Sequence, residues 1–178
     1  MKGWRLWISV VVLGFLIGTA LAWLTNRSQE AGSLPESGLA VGQPHPGFRL
    51  PDLDGGRVDA QGFAGRAMLV NFWATWCAPC RREMPVLQAA SERHGDALAV
   101  VGIALDDPGP VANFVNEVGV DYTILVGQDE VLDVQSAWGN DVGAMPYTVL
   151  VDAEGVVRWR HYGEVSAEDL DRALGDVL

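Results

Sequence analysis

Two cysteines separated by two residues, Cys77 and Cys80, are the only cysteines of the 178-residue chain. That spacing suits a thiol pair that opens and closes as a disulfide by way of a mixed disulfide with a partner. Residues 67–73 (Ala-Met-Leu-Val-Asn-Phe-Trp) form a short apolar run that reads as a buried strand, and the residues after Cys80 read as a helix. Cys77 therefore falls at a strand-to-helix turn. Unpaired N–H groups and the positive end of the helix dipole converge there and favour a thiolate over a thiol. Cys80 lies three residues on, on the same face, where its sulfur reaches the first one. Pro79 suits the first helical turn, where a missing N–H costs nothing.

Other uses of the pair are weaker. A structural zinc needs two more ligands, but His45, His94 and His161 are scattered singly. A purely structural bridge over so small a loop would stabilise little. Redox chemistry is the strong reading, with no metal and no cofactor beyond the pair itself. Glu83, three residues beyond Cys80 on a similar helical face, is the candidate general base for the resolving thiol, and a solvent-facing carboxylate is the alternative. Trp76 reads as an apolar contact surface beside the sulfur, with core packing as its other use. Arg81 and Arg82 either stabilise the thiolate by charge or are simply solvated.

Residues 71–85, Asn-Phe-Trp-Ala-Thr-Trp-Cys-Ala-Pro-Cys-Arg-Arg-Glu-Met-Pro, closely resemble the active-site segment of the membrane-tethered, thioredoxin-like thiol–disulfide oxidoreductases of the TlpA/ResA/CcmG (DsbE-type) group. The resemblance runs from about Val41 to the C-terminus. Its second specific part is residues 143–148, Gly-Ala-Met-Pro-Tyr-Thr, which is similar to that group's cis-proline loop. It implies a thioredoxin fold, a catalytic Glu at the place of Glu83, and a cis Met145–Pro146 bond facing Cys77. Trp76, Pro79, Met145 and Pro146 would then line the substrate, with the Met145 backbone free to pair with an extended segment. The resemblance also implies a reductase of disulfides in exported proteins, apocytochrome c among them, fed by a transmembrane dithiol donor. A thiol oxidase of the same fold and a non-catalytic redox-sensing or adaptor module are the alternatives. Two departures stand out. Thioredoxin has a buried aspartate where Asn71 stands, and an amide cannot take a proton, which throws that work onto Glu83. In the cytochrome c maturation branch the proline is often followed by Glu, and here Tyr147 follows it.

The remaining sequence must position this site. Trp7 to Leu24 carries no charge and is about 27 Å long as a helix, close to a hydrocarbon core of roughly 30 Å. Lys2 and Arg5 precede it, so residues 1–24 read as a single-pass inner-membrane anchor with the following domain on the periplasmic or other extracytoplasmic side. A cleaved signal peptide ending at Ala20-Leu21-Ala22 is the rival, and Trp23 and Leu24 carry the apolar run past that cut. Residues 25–40, rich in Ser, Glu, Gly and Pro, read as a flexible linker. Residues 41–178 read as one thioredoxin-like α/β domain. The net charge is −11, and no cluster of Lys and Arg resembles the basic patch on which nucleic-acid binding relies.

Within the domain, 48–50 and 57–58 read as a hairpin around Asp54-Gly55, forming an N-terminal extension. The continuously apolar 97–105 reads as a strand buried on both faces, with a helix over 110–118 after an Asp106/Asp107 cap. A short strand over 122–126, a helix or turn over 130–138 and a hairpin of 147–152 with 156–162 follow. A last helix spans 166–177, with Ser166 and Asp169 as a capping box. Pro85 is expected to kink the active-site helix.

Overall fold

In the computed structural model, which describes residues 38–178, the chain enters through a hairpin of β1 (Arg49–Pro51) and β2 (Arg57–Asp59). It continues through β3 (Ala67–Trp73), α1 (Ala78–His94), β4 (Leu98–Leu105), α2 (Pro108–Val118), β5 (Thr123–Gly127) and α3 (Asp129–Ala137). It ends with β6 (Tyr147–Val151), β7 (Val157–Tyr162) and α4 (Ala167–Gly175). The proposed anchor over 1–24 and the linker up to residue 37 lie outside the described residues. Among the described residues no helix is long and apolar enough to cross a membrane.

The strands form a five-stranded sheet in the order β5-β4-β3-β6-β7. β3, β4 and β5 run parallel, as helical crossovers require, while β6 lies antiparallel to β3, and β7 antiparallel to β6. This is a thioredoxin-like α/β fold with a central mixed sheet. β3 is buried along its whole length because both faces are covered. Leu69 and Trp73 join one core with Met84 and Leu87 of α1, Phe114 of α2 and Leu170 and Leu174 of α4. Met68, Val70 and Phe72 point the other way, into a core with Phe48, Leu50, Val131 of α3 and Trp138.

The hairpin turns where Asp52 accepts hydrogen bonds from the N–H groups of Asp54 (3.0 Å) and Gly56 (2.7 Å), with Gly55 at φ +84°. Asp52 also bridges to Leu125, so the hairpin lies against β5 and covers part of an outer strand that would otherwise be open.

Several boundaries differ from the sequence reading. The helix expected over 110–118 begins at Pro108, whose fixed φ suits a first turn. Asp107 stands at its N-cap without a side-chain capping bond, its Oδ1 accepting from Gln128 Nε2 at 3.4 Å, while Asp106 turns its carboxylate to Thr75 and to the Asp107 N–H. The active-site helix starts before Cys80, at Ala78, and continues through Pro85 to His94. At α4, Ser166 accepts from the Asp169 N–H as expected, but the Asp169 carboxylate takes the Ser166 hydroxyl rather than closing the reciprocal half of the box.

Candidate active site

The site is built at the carboxyl end of β3, where the parallel strands release their loops. Ala74 to Trp76 leave the sheet, and Cys77 becomes the N-cap of α1, its Sγ accepting from the Cys80 N–H at 3.4 Å. The sulfur thus occupies the position where an anion is stabilised by unpaired N–H groups and the helix dipole. Cys77 and Cys80 form a disulfide with Cα atoms 5.3 Å apart. Cys77 is 5% exposed and Cys80 is fully buried, so a partner can reach the first sulfur and not the second. That asymmetry follows from placing one cysteine at the cap and the other inside the first turn.

Trp76 is 69% exposed, which places it on the surface beside Cys77 rather than in the core. Pro79 is half-buried in the first turn. The loop ahead of the pair is held by Asp106 at the end of β4, whose carboxylate accepts from the Thr75 hydroxyl and, at 3.4 Å, from the Thr75 N–H. Arg81 and Arg82 point outward into ion pairs. Arg81 reaches Glu117 at 2.8 Å and lies over the Phe114 ring, and Arg82 reaches Glu164 through Nε at 2.9 Å. Both cations already have carboxylate partners, which leaves the helix terminus as the main source of positive potential at Cys77.

Glu83 faces inward and is fully buried. Its Oε1 accepts from Asn71 Nδ2 at 2.7 Å, and its Oε2 accepts from the Val165 N–H at 2.8 Å. Asn71 also donates to Thr148 Oγ1 at 3.0 Å across the β3–β6 pair, where the two residues stand opposite each other. Burial drives the Glu83 pKa up to about 7, against the bonds from Val165 and Asn71, which pull it down; Glu164 nearby adds to the rise. Burial and the neighbouring Glu83 together push the Tyr122 hydroxyl up as well. The solvent-facing alternative for Glu83 is therefore wrong: i+3 spacing from a buried Cys80 places it on the inner face of α1.

The Met145–Pro146 peptide is cis. Met145 packs against the core cluster that contains Cys77 and Cys80. Tyr147 is fully buried on the opposite face of the sheet, stacked on Phe72, and its hydroxyl donates to the Trp138 carbonyl at 2.8 Å. It therefore supplies no group to the cysteine side. The sequence marks Asn71 as a site position only through its departure from aspartate, not as a partner of Glu83, and it does not mark Thr148, Val165 or Asp106 as partners of the site. A signal existed for two of them, since Asn71 and Thr148 are the polar members of otherwise apolar strands, a pattern that marks buried hydrogen bonds. Among the described residues no group of His, Cys, Asp and Glu is arranged to hold a metal ion.

A thioredoxin-like sheet that presents a disulfide-forming Cys-x-x-Cys at the start of a helix, beside a cis-proline loop, defines the class of thiol–disulfide oxidoreductases. The chain belongs to the Redoxin family, whose profile matches residues 40–177. It is 35% identical over 166 residues to the thiol:disulfide interchange protein DsbE of Tatumella citrea, covering 89% of this chain and 85% of that one. It is 27% identical over 176 residues to the thiol-disulfide oxidoreductase ResA of Bacillus anthracis, covering 98% and 97%. Among solved structures, a thioredoxin-family thiol:disulfide interchange protein from Chlorobium tepidum superposes with a TM-score of 0.69 at 28% identity, covering 78% of this chain and 97% of that one. The protein is a thiol–disulfide oxidoreductase of the DsbE/ResA type.

Proposed function

We propose that the protein reduces disulfides of exported proteins, with Cys77 as nucleophile, Cys80 as resolving thiol and Glu83 as the base that serves it. The observation that carries this reading is the arrangement of one reachable sulfur at a helix N-cap, one buried sulfur behind it, and a buried carboxylate poised near neutral pH. In the reduced protein the Cys77 thiolate attacks a substrate disulfide, forming a mixed disulfide and releasing one substrate thiolate, which takes a proton from solvent. Glu83 accepts the proton of Cys80, whose thiolate attacks the Cys77 sulfur. The second substrate thiolate leaves and takes up a proton. Two electrons have passed to the substrate, and the pair is left as the Cys77–Cys80 disulfide. A transmembrane dithiol donor restores the dithiol. Trp76, Pro79 and Met145 form the contact surface, with the buried Pro146 behind them, and the Met145 backbone pairs with an extended substrate segment.

Equilibration with glutathione buffers tests the direction. A strongly reducing potential, on the side of thioredoxin, is expected, and one close to that of the oxidant DsbA would reverse the assignment to a thiol oxidase.

The same proposal places the domain outside the cytoplasm on a single-pass anchor formed by residues 1–24, supported by the uncharged run from Trp7 to Leu24 behind Lys2 and Arg5. The full chain should stay in carbonate-washed membranes; release with a mature N-terminus at Trp23 would show a cleaved signal. Apocytochrome c is one substrate of the proposed class. Tyr147, turned to the far side of the sheet, leaves that branch's acidic side chain without a counterpart at this position.

A further inference from the structure

The loop from Trp138 to Tyr147, which leads into Pro146, is held more firmly than a surface connection needs to be. At its base the Gly139 carbonyl accepts from Arg160 Nη2 at 2.8 Å and from the Tyr162 hydroxyl at 2.7 Å. Arg160 Nε also donates to the Tyr147 hydroxyl at 2.7 Å, so one guanidinium of β7 fixes both ends of the loop. Gly139 has φ +85°, and a Cβ there would stand 2.9 Å from Arg160 Nη2 and from the Leu39 backbone nitrogen, so only glycine fits.

Inside the loop, Asn140 is 2% exposed and acts as a side-chain rung. Its Nδ2 donates to the Ala144 carbonyl at 2.7 Å, and its Oδ1 accepts from the Ala144 N–H at 3.0 Å. Both polar groups of the Ala144 backbone are thereby occupied, as a neighbouring strand would occupy them. On the other side, the Pro146 carbonyl accepts from the Gly163 N–H at 2.8 Å. Met145 between them is half-buried, and neither its N–H nor its C=O is engaged in the backbone bonds of this region. A main chain held rigid on both sides of one open donor–acceptor pair is preorganised for a guest strand, because ordering the loop costs nothing at the moment of binding.

Resting on the docking role proposed above for Met145, we infer that Asn140 is the positioning residue for substrate: by closing off Ala144 it sets Met145 as the single backbone rung on which an extended, cysteine-bearing polypeptide aligns with Cys77. Small disulfides, which have no backbone to align, do not depend on it. Asn140 touches neither cysteine in any hydrogen bond of the site, so its effect is confined to substrates that dock.

The experiment uses the reduced full chain and two disulfides: a short synthetic peptide in mixed disulfide with glutathione, and hydroxyethyl disulfide. Asn140→Ala should slow the second-order reaction with the peptide disulfide by about tenfold, the scale of losing one well-aligned hydrogen bond between the Met145 backbone and the substrate. The rate with hydroxyethyl disulfide should stay within about twofold, and the potential of the Cys77–Cys80 pair should not move. Asn140→Asp keeps the size and the acceptor for the Ala144 N–H but sets a carboxylate against the Ala144 carbonyl. It should show the same selective loss, and it carries the test if the alanine variant does not fold. Equal slowing with both disulfides, or no slowing with the peptide, would overturn the role of Asn140. A wild-type protein that reacts with hydroxyethyl disulfide and leaves the peptide disulfide untouched would overturn the docking role of Met145 itself.

Discussion

Replacing Cys77 with serine is expected to lower protein-disulfide exchange by at least about a thousandfold, since a hydroxyl at the same helix terminus is neither ionised nor able to form the mixed disulfide. The substitution is nearly isosteric at a position 5% exposed, so the fold should survive it. Cys80→Ser should fail differently. Cys77 still attacks, but nothing displaces the partner, and the covalent complex accumulates. Stopped-flow rates on the first variant, and mass spectrometry of partners covalently held by the second, are the measurements. If Cys77→Ser lost exchange yet kept the protein's full function in the cell, the protein would be an adaptor rather than an enzyme. If the Cys80→Ser variant held no partner, Cys77 would not be the attacking group.

Glu83→Gln is the second large effect. The amide keeps an acceptor for the Asn71 or Val165 bond but cannot take a proton, so resolution of a mixed disulfide should slow by about a hundredfold, the lower range for losing a positioned base. In the wild type that rate should rise with pH through about 7, and the variant should lack the step. Stability carries a second signature. A carboxyl group with a pKa near 4.5 in the unfolded chain and about 7 in the fold binds its proton more tightly when folded. Its contribution is fully present below about pH 4.5 and is lost as pH rises through about 7, a total of roughly 3 kcal/mol. Urea unfolding at about pH 4.5 and about pH 8 should show that difference in the wild type relative to Glu83→Gln. Identical pH slopes in the two proteins would mean that Glu83 titrates in the fold as it does in the unfolded chain.

The parts of this molecule legible in the sequence are those governed by local rules. β3 spans residues 67–73, as its apolar run dictates, and the terminal helix is capped by Ser166. The cysteine pair declared its own chemistry through spacing and context. What local patterns could not supply were contacts that depend on tertiary register. Asn71 meets Glu83 and Thr148 only because α1 packs on the face of β3 while β6 pairs along its edge, and Val165 reaches Glu83 from a loop 82 residues further along the chain. Asp106 looked like a helix cap because aspartate before a helix usually is one; the nearby Thr75 offered a stronger partner. Tyr147 is drawn to the opposite face by the strict alternation of β6, which turns Thr148 toward the cysteines and its neighbour away.

With two cysteines in the whole chain and both in one pair, every thiol the protein can present to an alkylating reagent belongs to the Cys77–Cys80 pair. Trapping cells in acid and counting bound maleimide groups per molecule therefore reads electron occupancy directly, with no background from elsewhere in the polypeptide. Zero tags mark the oxidised form, two the reduced form, and a single tag marks a molecule caught while joined to its client.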